Sequence, residues 1–120
     1  MTLARAYGYV KADNEAAVLV DRFWPRGIPK DKLKIDVWFR DIAPSDKLRK
    51  WFSHDAKKWE KFRTKYKEEI RKDSLKLGLL HQLKEMEAER GRVVLLYSAK
   101  DTEHNNAAVL KEMLSANRIV

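Results

Sequence analysis

The sequence predicts an α/β domain of three layers, a small and mostly parallel sheet with helices packed on it. Two short apolar runs, "AAVLV" at 16–20 and "VVLLY" at 93–97, have the composition of strands buried on both faces. Between them, from Ser45 to Arg90, apolar residues recur at three- and four-residue spacing, the period of helices buried along one side. Strands alternating with helical stretches favour a parallel sheet. At 120 residues the chain is long enough for its own core, and one domain spanning 1–120 is expected.

Taken in order, residues 3–9 suit a short first strand, and "KADNE" is a polar turn before the strand at 17–21. Pro25, Gly27 and Pro29 then break any regular element within five residues. The cluster "IDVWFRDIAPS" fits a strand or a helix equally well. Pro44 and Ser45 open a helix carrying Leu48, Trp51 and Phe52, and Asp55 is placed to cap the next one. There Trp59, Phe62, Tyr66 and Ile70 form one stripe at helical spacing, a pattern of core packing rather than of base stacking. A further helix turns Leu79, Leu80, Leu83 and Met86 inward and stops at Gly91. After the 93–97 strand, Asp101 or Thr102 is expected to cap a last helix bearing Val109, Leu110, Met113 and Leu114. "NRIV", 117–120, suits an edge strand.

Composition narrows the chemistry. The chain has no cysteine, which excludes disulfides, a thiol nucleophile and thiolate metal sites. Its three histidines share no metal-ligand spacing, so no metal site is expected. Neither a GxGxxG nor a GxxxxGK loop occurs, and no cofactor is expected. The N-terminus lacks the apolar stretch of a secretory signal, and no run reaches the length of a membrane span; a soluble, cytoplasmic protein without membrane contact is expected. The net charge is +8, and residues 47–72 hold eleven Lys/Arg against four acids. Such a segment attracts anionic partners at long range, nucleic acid among them, although a solvated lysine face has the same composition.

In parallel sheets ligands bind beyond the carboxyl ends of the strands, which singles out two loops. "DRFWPRG" follows the 17–21 strand. In it Arg22 and Arg26 can each present a planar fork of donors to phosphate or carboxylate, and Trp24 offers a flat face for stacking or capping. The competing reading makes Asp21 and an arginine an ion pair closing the sheet, with Trp24 a core plug. "YSAKDTEHNN" follows the 93–97 strand, bringing Tyr97, Ser98, Lys100, Asp101, His104, Asn105 and Asn106. His104 is expected in the first turn of the last helix, where amide dipoles favour a bound anion and a neutral imidazole can act as a base. An ordinary cap with solvated asparagines is the alternative. Ser98 lies in no nucleophile-elbow pattern.

Four motifs carry a family resemblance: "VDR-x-WPRG", "D-x-APS-x-x-L-R-x-WF-x-HD", "W-x-x-F-x-x-x-Y" and "LLY-x-A-x-D-x-x-HN-x-A". Over residues 4–115 the chain resembles the YeaO-like branch of the domain-of-unknown-function family 488. The resemblance implies a compact three-layer α/β fold. It draws attention to the recurrent polar positions Asp21, Arg22, Trp24, Arg26, Trp51, His54, Tyr97, Asp101, His104 and Asn105. The broader family often carries a Cys-His-Arg run after its last core strand. "HNNA" stands in that region here, so thiol chemistry does not carry over.

Together these readings place a pocket for an anionic ligand, a nucleotide or phosphorylated metabolite, at the strand ends. Arg22, Trp24, Arg26, Trp51, Tyr97, Asp101 and Asn105 are the candidate binding residues; His54, His104 and Asp21 are the candidates for proton transfer. The rival is a non-catalytic nucleic-acid-binding module using the basic 47–72 segment. Oligomeric state is not readable from the sequence.

Overall fold

A computed structural model describes residues 1–116; the "NRIV" segment lies outside the described residues. Four strands, β1 (Thr2–Arg5), β2 (Ala16–Leu19), β3 (Val37–Trp38) and β4 (Val93–Tyr97), form one sheet in the order β1-β4-β2-β3. All three pairings are parallel, with Thr2 opposite Val94, Ala17 opposite Val94 and Val18 opposite Val37. The ambiguous 35–45 cluster resolves into the two residues of β3 and a single 3-10 turn, Arg40–Ile42.

The helices are α1 (Asp46–Phe52), α2 (Trp59–Lys72), α3 (Ser74–Arg90) and α4 (Asn106–Ser115). Their caps follow side-chain chemistry. The Ser45 hydroxyl accepts from Leu48 N, and the Asp73 carboxylate accepts from Leu75 N and Lys76 N. The Asp55 carboxylate accepts from Lys57 N in a 3-10 turn that runs into α2. Gly91, at φ +79°, ends α3 in a conformation that side chains rarely adopt. Among the described residues no helix is long and apolar enough to cross a membrane.

Strand alternation sorts the core into two faces. Ala16, Val18, Val20, Val93, Leu95 and Tyr97 point into one cluster, which receives the apolar stripes of all four helices. The α2 stripe is core, as its spacing indicates: Phe62, Tyr66 and Ile70 are buried, and the Tyr66 hydroxyl donates to the Ile42 carbonyl at 2.6 Å. Ala17, Leu19, Val94 and Leu96 point the other way, where irregular chain rather than helix covers them: Ala6, Tyr9, Trp24, Ile28, Leu33 and Ile35. The third layer is therefore loop, locked by the Trp24 indole donating to the Ile28 carbonyl and the Trp38 indole donating to the Asp21 carbonyl.

This arrangement positions a site. Chain leaving β2 passes to the loop-covered face and reaches β3, whereas chain leaving β4 passes to the helical face and reaches α4. β2 and β4 are neighbours, so their exits diverge and leave a crevice at the carboxyl ends of the sheet. This is the switch point at which parallel α/β sheets bind ligands.

Candidate functional site

A cavity of about 870 Å³ occupies that crevice. Its lining comes from the loop after β2, the loop after β4 with the first residue of α4, the segment from Ala43 through α1 to His54, Phe62 of α2, and Tyr7. Of the residues proposed from sequence, Asp21, Arg22, Trp24, Arg26, His54, Asp101, His104 and Asn105 all line it. They arrive from three segments more than twenty residues apart, joined only by the fold.

Two proposed binding residues are not brought there. Trp51 is absent from the lining; the Lys58 and Lys65 ammonium groups lie 5.0 and 4.7 Å from its ring centroid. Tyr97 takes an inward register position of β4 and is 3% exposed in the helical core, where burial pushes its phenol up from the ordinary value. In each case the amphipathic side chain satisfies packing first.

Asp21 ties the two loops together. Its carboxylate accepts from Ser98 N at 2.8 Å, across the divergence of β2 and β4. Burial raises its pKa, opposed by hydrogen bonds from Ser98 and Asn106 and by the nearby His54. A further link crosses the same gap: Asn106 Nδ2 donates to the Val20 carbonyl at 3.0 Å. On the other side of β4, the Arg5 guanidinium at the end of β1 donates to the Ser98 and Ala99 carbonyls.

His54 enters the lining through an unusual backbone. Ser53 and His54 both have positive φ, 46° and 57°, a left-handed conformation that costs about 1–2 kcal/mol per non-glycine residue. The Ser53 amide caps α1 by donating to the Arg49 carbonyl at 3.0 Å, and the next left-handed residue turns the chain so that His54 lines the cavity.

The second loop differs from its sequence reading. α4 begins at Asn106, and its cap is Asn105, whose side-chain oxygen accepts from Ala108 N at 2.9 Å. Asp101 caps a separate turn, accepting from Glu103 N and His104 N. Those two bonds, ahead of the bond from the imidazole, hold its carboxyl at about 2. His104 therefore precedes the helix rather than lying in its first turn. Its Nδ1 meets Asp101 Oδ2 at 2.9 Å, and its ring packs edge-on to Trp59 at 5.1 Å between centroids. With Asp101 ionised, Nδ1 carries the hydrogen and Nε2 is the free nitrogen. Asn105 is 2% exposed and its amide also donates to the Asp101 carbonyl, so its hydrogen bonds support the loop.

The first loop is less committed. Arg22 pairs with Asp41 at 3.1 Å, both side chains close to half exposed. Arg26 contributes only its backbone carbonyl, which accepts from the Tyr7 hydroxyl at 2.7 Å; its guanidinium has no partner among the described residues. Trp24 touches the cavity but packs edge-on to Trp38 at 5.6 Å, so it is mainly a plug of the loop layer. The cavity also contains residues that the sequence reading passed over. Tyr7, Phe23 and Arg49 line it. Arg49 lay inside the "LRxWF" motif, but only the fold turns it towards the β2 loop. Among the described residues, no cluster of three or more His, Asp or Glu side chains is placed to hold a metal.

The family whose model matches residues 1–118 is described as the inactive DUF488-N3 subclade. The chain belongs to the DUF488 family, in its YeaO-like branch. It is 36% identical over 110 residues to the uncharacterized protein YeaO of Escherichia coli (strain K12), covering 92% of each chain. It is 35% identical over 113 residues to the uncharacterized protein Rv3073c of Mycobacterium tuberculosis (strain ATCC 25618 / H37Rv), covering 94% of this chain and 92% of that one. No solved structure matches it.

Proposed function

We propose that the protein binds a small anionic molecule, a nucleotide or other phosphorylated metabolite, in the cavity at the carboxyl ends of β2 and β4, and does so without turning it over. The observation that carries the reading is the charge of the lining. Arg22, Arg26, Arg49 and Lys100 line the cavity against Asp21 and Asp101, with Arg22 and Arg49 each also paired with a carboxylate outside the lining, Asp41 and Asp46. A volume near 870 Å³ falls within the ordinary range of small-molecule sites, about 300–1,000 Å³. Guanidinium forks favour phosphate or carboxylate over neutral ligands.

Binding without catalysis is supported by the polar groups themselves. Asp21 is held by Ser98 N, His104 by Asp101 and Asn105 by the helix end. Cysteine is absent from the chain, and the subclade is described as inactive. His54 and His104 line the same cavity, and with the hydrogen on Nδ1 the Nε2 of His104 can accept from a ligand hydroxyl.

The test is calorimetric titration with phosphate esters and nucleotides at low and high salt, on the wild type and on Arg22→Gln/Arg26→Gln. Salt-tolerant binding lost in the double variant is expected. Binding only of polynucleotide, only at low salt and unchanged in the variant, would move the function to the basic 47–72 surface. That surface is partly self-neutralised: Arg49 pairs with Asp46, and Arg63 and Lys67 both pair with Glu112.

A further inference from the structure

Most large apolar side chains of this protein are covered, and the exceptions are informative. Tyr7, Val10, Phe23 and Leu75 are the exposed large hydrophobics among the described residues, and two of the four, Tyr7 and Phe23, line the cavity. Phe23 is 61% exposed, although the residues around it in the loop are anchored by indole and carbonyl hydrogen bonds.

Each of the two rings carries a guanidinium. Arg49 lies 4.9 Å from the Phe23 centroid and Arg5 lies 4.9 Å from that of Tyr7. Neither ring is paired with another aromatic ring among the described residues, and the Tyr7 hydroxyl fixes its ring to the Arg26 backbone. The arrangement also leaves a donor group unused. The Arg26 guanidinium is unpartnered among the described residues, whereas Arg49 is engaged by Asp46 at 2.6 Å and its Nε is closed off from solvent. An exposed ring backed by a cation, in one cavity with a free guanidinium, complements a ligand with a flat ring at one end and a phosphate at the other.

We infer that the ligand is a mononucleotide whose base stacks on Phe23 and whose phosphate is held by Arg26. This rests on the anion-binding reading of the same cavity and narrows it. The stacking residue is then Phe23 and not Trp24, whose indole is engaged in the loop layer. Stacking on a ring is tolerant of base identity, so purine and pyrimidine nucleotides are both accepted.

The experiment is isothermal titration with adenosine 5′-monophosphate, uridine 5′-monophosphate, ribose 5-phosphate and adenosine, using wild type, Phe23→Ala, Phe23→Trp and Arg26→Gln. The mononucleotides should bind about tenfold more tightly than ribose 5-phosphate, the worth of one aromatic pair. Phe23→Ala should abolish that margin and leave ribose 5-phosphate unchanged, and Phe23→Trp should restore it. Arg26→Gln should weaken every phosphate compound and leave adenosine unaffected. Because Phe23 is exposed, its variants should melt close to wild type, which the same samples verify. If ribose 5-phosphate binds as tightly as the mononucleotides and Phe23→Ala changes nothing, the stacking inference is overturned while the anion site stands. If adenosine binds as tightly as its monophosphate, or no phosphate compound binds, the anion reading itself fails and takes the inference with it.

Discussion

The two loops that wall the cavity differ in length, seventeen residues between β2 and β3 against eight between β4 and α4, and they are built for different work. The loop after β4 satisfies itself. Asp101 accepts two backbone amides, Asn105 caps α4, Asn106 reaches back to Val20, and Arg5 grips the Ser98 and Ala99 carbonyls. The loop after β2 is stiffened by its indole anchors but leaves the Arg26 guanidinium without a partner among the described residues and the Phe23 ring exposed. Donors already engaged in structure have little left for a ligand, whereas donors held in place but unpaired are preorganised for one. The difference assigns support to one wall and recognition to the other.

Their carboxylates differ in the same sense. Burial raises the pKa of Asp21, whereas amide hydrogen bonds lower that of Asp101 to about 2. A raised acid binds more protons folded than unfolded, so its contribution to stability grows as pH falls through the folded value towards 3.8. A depressed acid does the reverse: its contribution is present above 3.8 and is lost as pH falls towards about 2.

Asp21 joins the two walls through its carboxylate, alongside the Asn106 bond to Val20, and removing it should have the largest effect. Asp21→Ala leaves the Ser98 amide without its acceptor and should cost about 1–3 kcal/mol in urea unfolding. Asp21→Asn, which retains an oxygen, should cost less and lose the acid-side gain just described. An Asp21→Ala protein as stable as wild type would mean that the walls are held together elsewhere.

Within the supporting wall, Asn105→Ala should destabilise by about 1 kcal/mol through the lost cap. Ligand affinity measured on the folded fraction should remain. A variant of full stability and no affinity would transfer recognition to the β4 loop.

In the recognition wall, Arg26→Gln should change stability by less than about 0.5 kcal/mol, as exposed substitutions do, while binding of phosphate compounds drops. A clear loss of stability would make Arg26 a structural group. The smallest effect is expected at the second carboxylate: the stability difference between wild type and Asp101→Asn, followed by urea unfolding from pH 5 to pH 2, should shrink as the pH falls. A constant difference would show that the hydrogen bonds to Asp101 do not depend on its charge.

Much of this was legible in the chain. The continuous apolar runs 16–20 and 93–97 identified the central strands, and the 59–70 stripe identified the helix that packs on them, because burial is imposed directly on residue type. The WPRG turn and the HN segment marked the two loops. Less legible was which polar residue does what. Asp101 or Thr102 is the cap expected from the sequence; Asp101 is occupied by its own turn, so Asn105 caps α4, which starts at Asn106. Trp24 and Phe23 are adjacent aromatic residues, and only the chain covering the loop-side face decides that the first is packed and the second exposed. Trp51 and Tyr97 belong to motifs, but their rings are directed away from the cavity by helix and strand phase.

The amino-acid sequence by itself determined the class of fold, the order of its main elements, the absence of thiol chemistry and the family. These depend on local periodicity, on composition and on runs of residues that are contiguous in the chain. The tertiary structure alone decided which donors remain free. Several of the bonds that occupy the others join residues far apart in sequence: Asp21 to Ser98, Val20 to Asn106 and Arg5 to Ala99. A side chain's availability depends on what the rest of the chain has placed beside it, and that is known only once the sheet brings β2 and β4 together.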